Sequence, residues 1–163
     1  MQIYLASRYS RRLELCEYRK QLVLLDHTVT SRWLNGEHQI SDTGVPIGEH
    51  GEKLVEGDDG STDARAAWMR HRFATEDFVD VITANLLIAF TEVPRSGHSR
   101  GGRHVELGIA LGRMMPVWIV GPRENLFCWM EDVQQFDSFG QLIDWLEFPK
   151  QNPKSLTAGT ASA

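Results

Sequence analysis

The chain has 163 residues, 42% of them hydrophobic and 24% charged, with a net charge of −5. That length fits one domain able to bury a core without disulfide or metal staples, and the acidic balance excludes an overall basic footprint for a nucleic-acid polymer. No apolar run reaches transmembrane length, and the chain enters a strand directly, so neither a membrane span nor a signal peptide is expected.

The two cysteines, Cys16 and Cys128, lie in apolar contexts without metal spacing, which predicts buried, reduced thiols and a cytoplasmic protein. Gln2 to Ala6 reads as a first strand. Ser7-Arg8-Tyr9-Ser10-Arg11-Arg12 follows as a polar loop, then apolar residues from Leu13 to Leu25 at three- and four-residue spacing predict an amphipathic helix with Ser10 as its N-cap. Hydroxyls, backbone N–H groups and guanidiniums at a helix start favour an anion, although the loop has no glycine and is neither a Walker loop nor a dinucleotide fingerprint. Solvated arginines at a helix start are an equally good account of the same residues.

His27 to Leu34 reads as a second strand ending near Trp33, which either stacks on a base or sugar or joins the core. Residues 35–63 are glycine-rich and lack periodicity, as a functional loop insertion or a disordered one would. Ala64 to Ala84 resumes a helical pattern and carries Asp77 and Asp80 towards its end. Acids there oppose the helix dipole, a small cost that hints at a task for one of them. Leu86 to Phe90 is an apolar, buried central strand, and Thr91 to Arg103 is a loop with Arg95, Arg100, Arg103 and a glycine pair, a candidate anion cradle. The spacing of His98 and His104 matches no zinc motif, and neither metal nor cofactor is expected.

Gly102 opens the next helix, through about Gly112, with Glu106 in its first turns. Val117 to Val120 is a fourth strand, followed by a loop in which Arg123 and Asn125 can line a pocket. Val133 to Phe136 is a fifth, and Asp137 or Ser138 caps a last helix reaching about Leu146. One domain over 1–148 is therefore expected, and the polar residues 149–163 read as a disordered tail. Strand–helix alternation predicts a doubly wound parallel α/β sheet of about five strands flanked by helices. Ligands bind such sheets beyond the carboxyl ends of the strands. The loops there hold Ser7, Arg8, Trp33, Arg95, Gly102, Glu106 and Asn125.

Several segments resemble the nucleoside 2-deoxyribosyltransferase family and the related deoxynucleoside 5′-monophosphate N-glycosidases: Ile3-Tyr4-Leu5-Ala6-Ser7, Thr75-Glu76-Asp77-Phe78-Val79-Asp80, and above all Gly102-Arg103-His104-Val105-Glu106-Leu107-Gly108. In order and kind of element the similarity spans about residues 2 to 147. It implies a flavodoxin-like fold and cleavage of the N-glycosidic bond of a nucleoside or its 5′-monophosphate. Glu106 takes the place of the nucleophile, Asp77 of the helper acid, and Ser7 of a residue near the sugar or its 5′ end. Arg8, Tyr9, Trp33, Arg95, Gly102, Arg103 and Asn125 complete the candidate substrate-binding set. Oligomers are common in the family, so a homo-oligomer, dimeric or higher, is expected, with the Trp68–Met69 helix as one possible face. Asn85 departs from the pattern, standing where many relatives have Asp.

The chemistry suits these residue types independently. Breaking a sugar–base bond develops oxocarbenium charge at the anomeric carbon, which a carboxylate on the opposite face can trap while a second carboxyl assists. The covalent intermediate can pass to water or to another base, so hydrolase and transferase are two fates of one species. The arginine-rich loops favour a 5′-monophosphate. A non-catalytic nucleotide sensor of the same fold and an NAD-type glycohydrolase are the competing readings, since this architecture hosts many functions.

Overall fold

The computed structural model describes residues 1–36, 64–93 and 101–148. Most of the 35–63 insertion, the 149–163 tail and Arg95 lie outside the described residues. Strands β1 (Gln2–Ala6), β2 (Thr28–Val29), β3 (Leu86–Phe90), β4 (Val117–Val120) and β5 (Val133–Phe136) form one sheet in the order β2-β1-β3-β4-β5, with every pair parallel. Helices α1 (Arg12–Leu24), α2 (Ala64–Thr83), α3 (Gly102–Gly112) and α4 (Phe139–Glu147) flank it. This is the flavodoxin-like α/β arrangement, and its strand order reverses between β1 and β3.

The register separates the two faces of the sheet, because in-register partners on parallel strands point the same way and neighbours along a strand alternate. Tyr4 pairs with Leu87 and Ala6 with Ala89, whereas Ile3 and Leu5 pair with Leu86 and Ile88. Phe90 belongs to the second set. It stacks on Tyr18 of α1 at 5.2 Å, and Tyr18 stacks on Phe139 of α4 at 4.0 Å. That face is therefore the one covered by α1 and α4. Trp118 joins it through an edge-on contact with Trp145 of α4 at 4.7 Å. Tyr4, Ala6, Leu87 and Ala89 face the opposite layer, α2 and α3. All five residues of β3 are buried, as a central parallel strand covered on both faces requires.

Two predicted boundaries change. The second strand is only Thr28–Val29, and Arg32–Asn35 is a 3-10 turn. Side chains replace the missing ladder: the Leu5 N–H donates to Ser31 Oγ at 2.7 Å, and the Trp33 indole donates to the Leu5 carbonyl at 3.0 Å. Asp80 holds the turn from below, accepting from the Arg32 N–H and from its Nε, both at 2.8 Å. Ser10 is not the N-cap of α1. It sits within a 3-10 turn, Tyr9–Arg11, closed by Arg11 N–H to the Arg8 carbonyl, and no side chain caps the helix that follows. At α4 the expected cap is present, with Ser138 Oγ accepting the Gln141 N–H at 3.2 Å. Cys16 and Cys128 are both free thiols, Cys128 buried and Cys16 half-buried.

Candidate active site

The site is built from β1 outward. Ile3-Tyr4-Leu5-Ala6 is fully buried, and among those four residues Tyr4 alone carries a polar side-chain group. A buried hydroxyl needs a partner. Tyr4 finds it one layer away, donating to Glu106 Oε1 of α3 at 2.6 Å. The distance is in the short range of charge-assisted O–H···O⁻ bonds. Burial raises the Tyr4 pKa well above 10.0. The neighbouring charges of Glu106 and Asp77, the hydrogen bond itself and the charge of Asp80 add to the rise. The phenol thus stays protonated at neutral pH and donates to the carboxylate. Of the three acids on α2 and α3 whose charge acts on this hydroxyl, Glu106 is the one that accepts from it.

The two α2 acids have different surroundings. Asp80 is buried and held by Arg32. Burial raises its pKa, while the hydrogen bonds and charge of Arg32 pull the other way. Asp77, one turn earlier, is half-buried and close enough to Tyr4 for its charge to be felt there. The family resemblance pairs Asp77 with Glu106 as acids of one reaction; Glu106 is hydrogen-bonded to Tyr4, and the charge of Asp77 adds to the rise of the Tyr4 pKa.

Glu106 reaches that position because α3 begins at the right place. Gly101 adopts a left-handed conformation (φ 91°), which redirects the chain, and the first turn forms on its carbonyl. Arg103, Leu107 and Ala110 face inward and are buried. Gly102 is the exposed first residue of the helix.

The other candidate residues fall into three groups. Ser7 lies immediately after β1, and its buried Oγ has no hydrogen-bond partner among the described residues. Arg8 Nε pairs with Glu92 Oε1 at 2.7 Å, joining the loops after β1 and β3 across the point where the strand order reverses. Tyr9 is half-buried, its ring 6.0 Å from that of Trp33. Trp33 is 5% exposed and anchored to Leu5 through its indole, so it is part of the core. Arg103 is also committed: its Nη2 donates to Glu124 Oε1 at 2.5 Å and its Nη1 to the Phe90 carbonyl at 3.2 Å. Asn125 caps a 3-10 turn, Leu126–Trp129, by accepting the Phe127 N–H at 2.9 Å, and its Nδ2 lies 3.3 Å from His104 Nδ1. The described guanidiniums expected to meet an anion are thus largely engaged within the protein. Arg11 pairs with Glu14, and Arg12 donates to the Leu34 carbonyl.

Two contributors escaped the sequence reading. Tyr4 had a usable signal, a lone hydroxyl in an apolar buried strand. Glu124 had none, since it lies in an aperiodic loop and its partners come from residues 92 and 103. Among the described residues no group of three or more His, Cys, Asp or Glu side chains is placed to hold a metal ion, and no helix is long and apolar enough to cross a membrane.

No family model matches the chain, and neither does any curated protein sequence. Among solved structures it is similar to the CMP N-glycosidase BcmB of Clostridium botulinum, with a TM-score of 0.52 and 13% identity over 91% of this chain and 99% of that one. At that identity the likeness establishes a shared fold across nearly the whole length of both chains.

Proposed function

We propose that the protein cleaves the N-glycosidic bond of a nucleoside 5′-monophosphate or nucleoside through a covalent sugar–Glu106 intermediate. The observation that carries the reading is the hydrogen bond from the fully buried Tyr4 to Glu106, with the charge of Asp77 also acting on Tyr4. A carboxylate held by the phenol of a fully buried tyrosine is oriented for attack on an anomeric carbon. The shared fold with a CMP N-glycosidase agrees with this reading.

In the reaction, a Glu106 carboxylate oxygen bonds to the anomeric carbon as the carbon–nitrogen bond breaks, and the electron pair of that bond leaves with the base. Asp77 positions the nucleophile or delivers the proton that the departing base takes up. Water then attacks the same carbon and gives a proton to the carboxylate that protonated the base, releasing the sugar or sugar phosphate and restoring both acids. If a second base attacks instead, the outcome is transfer. Either route retains configuration, as two displacements at one carbon must.

The buried Ser7 hydroxyl supports binding of the substrate's 5′ end at the β1 loop. A buried polar group without a partner costs about 1–3 kcal/mol, which a sugar or phosphate oxygen would offset. The test is a panel of nucleosides and their 5′-monophosphates, with free base followed chromatographically, for the wild type and Glu106→Ala. Release of base from a 5′-monophosphate by the wild type alone is expected. Equal release by Glu106→Ala, or ligand binding without any turnover by the wild type, would overturn the reading.

A further inference from the structure

We propose that Glu124 is a positioning residue: through Arg103 it sets the placement of α3, and so of the Glu106 carboxyl against Tyr4. The inference rests on Glu106 being the reactive acid. Glu124 lies in the loop after β4 and ties it to two other segments. It accepts the Glu92 N–H at 2.6 Å from the loop after β3, and Arg103 Nη2 at 2.5 Å from the first turn of α3. Arg103 Nη1 reaches the Phe90 carbonyl at the end of β3. Arg8, from the loop after β1, extends the chain of contacts through the Glu92 side chain.

Both members of the Arg103–Glu124 pair are almost fully withdrawn from water, with side chains 4% and 8% exposed. Such a pair gains little net stability, because desolvation offsets its attraction, but it fixes direction. The direction fixed here is that of the helix start. Among the described residues no side chain caps α3, and neither its N-cap Gly101 nor its first residue Gly102 has a side chain to pack the helix start in place. Arg103 is the inward-facing residue of that turn, and Glu106 follows it by three positions, one turn along the same side. A planar guanidinium forked between a carboxylate and a strand-end carbonyl sets both the height and the rotation of the turn. The 2.6 Å contact between Tyr4 and Glu106 leaves no slack for a shift of an ångström.

The test compares Glu124→Gln with the double variant Arg103→Met/Glu124→Gln. The single variant leaves a buried guanidinium without its counter-charge. The double variant removes both charges while keeping an acceptor for the Glu92 N–H, and recovers the stability that the single one loses. The readout is the Tyr4 hydroxyl proton in NMR, a shielded, slowly exchanging downfield resonance assigned by its loss in Tyr4→Phe. In the folded double variant we expect that resonance shifted or lost, and kcat for base release reduced about 10- to 100-fold with KM within about twofold, as for misplacement of a reacting group. A double variant that regains stability, the resonance and kcat together would show the pair to be structural only and would overturn the proposal. If the wild type cleaves no nucleotide, the resonance alone decides, since it reports the Tyr4–Glu106 contact whatever the protein's activity.

Discussion

Replacing Tyr4 by Phe removes one oxygen from the centre of the site and leaves the ring in place. The phenol is fully buried and donates to Glu106 at 2.6 Å. A hydrogen bond to a charged group contributes about 1.5–3 kcal/mol, and its loss here leaves a carboxylate short of a donor where water has little access. For a chain of this size, each kcal/mol moves Tm by roughly 2–4 °C, so a fall of about 3–12 °C is expected at neutral pH. The effect on rate has two opposing parts. Losing the donor makes the carboxylate more basic, which favours attack, but it also frees the group to rotate and favours its protonated form. Misplacement of a reacting group commonly costs about 100-fold, more than a modest gain in basicity returns, so kcat should fall about tenfold or more. The acid limb of the kcat/KM profile should move to higher pH, because the lost hydrogen bond favoured the charged form. Thermal unfolding by circular dichroism and base release across a pH series measure both. An unchanged Tm together with an unmoved acid limb would refute the claim that Tyr4 orients an ionised Glu106.

Glu106→Gln should lower base release by about three orders of magnitude or more with the far-ultraviolet spectrum unchanged, as removal of a nucleophile does. Asp77→Asn should cost less, about 10- to 100-fold, and the loss should vary with the basicity of the leaving base if Asp77 protonates it. Leu107→Asp should abolish the cooperative unfolding transition, because Leu107 is 4% exposed on the inner face of α3 and an unpaired buried charge cannot be accommodated there. Tyr4 also sets an alkaline limit. Its folded pKa lies above its unfolded value near 10.0, so the folded state holds the proton more tightly. The stability this contributes is complete below pH 10 and is lost as pH rises towards the folded value. Chemical denaturation above pH 10 should show that decline in the wild type, and Tyr4→Phe should lack this component of it.

Strands buried on both faces were legible because nothing polar interrupts them: Leu86–Phe90 and Val117–Val120 have the ends the sequence predicts. The edge was not. His27 to Leu34 is rich in β-prone residues, yet pairing stops after Val29 because Ser31 and Trp33 satisfy Leu5 with side-chain atoms. No local pattern announces that substitution. For the site, the helix bearing Glu106 and the helix bearing Asp77 could be read from periodicity. The contact of Glu106 with Tyr4 depends on strand register across residues far apart in the chain. The arginines were the hardest to interpret, since composition reveals a guanidinium but not its partner. Arg103 looks like an anion ligand in sequence and is bound to Glu124 in the fold. Asn85 stands at the amino end of β3, where its Oδ1 accepts the Gln2 N–H at 3.0 Å, a strand-start contact at the end of the sheet away from the reversal-point loops.

The closing of β1 by side chains bears on how the protein can assemble. Beyond Ile3, the outward N–H and carbonyl of Leu5 are taken by Ser31 and Trp33, and β2 offers an incoming strand only two residues. An edge so short and so occupied is a poor template for a foreign strand. Among the described residues, self-association by sheet extension is therefore disfavoured on this flank. The far border of the sheet, at β5, lacks that closure among the described residues and has four residues in register with β4.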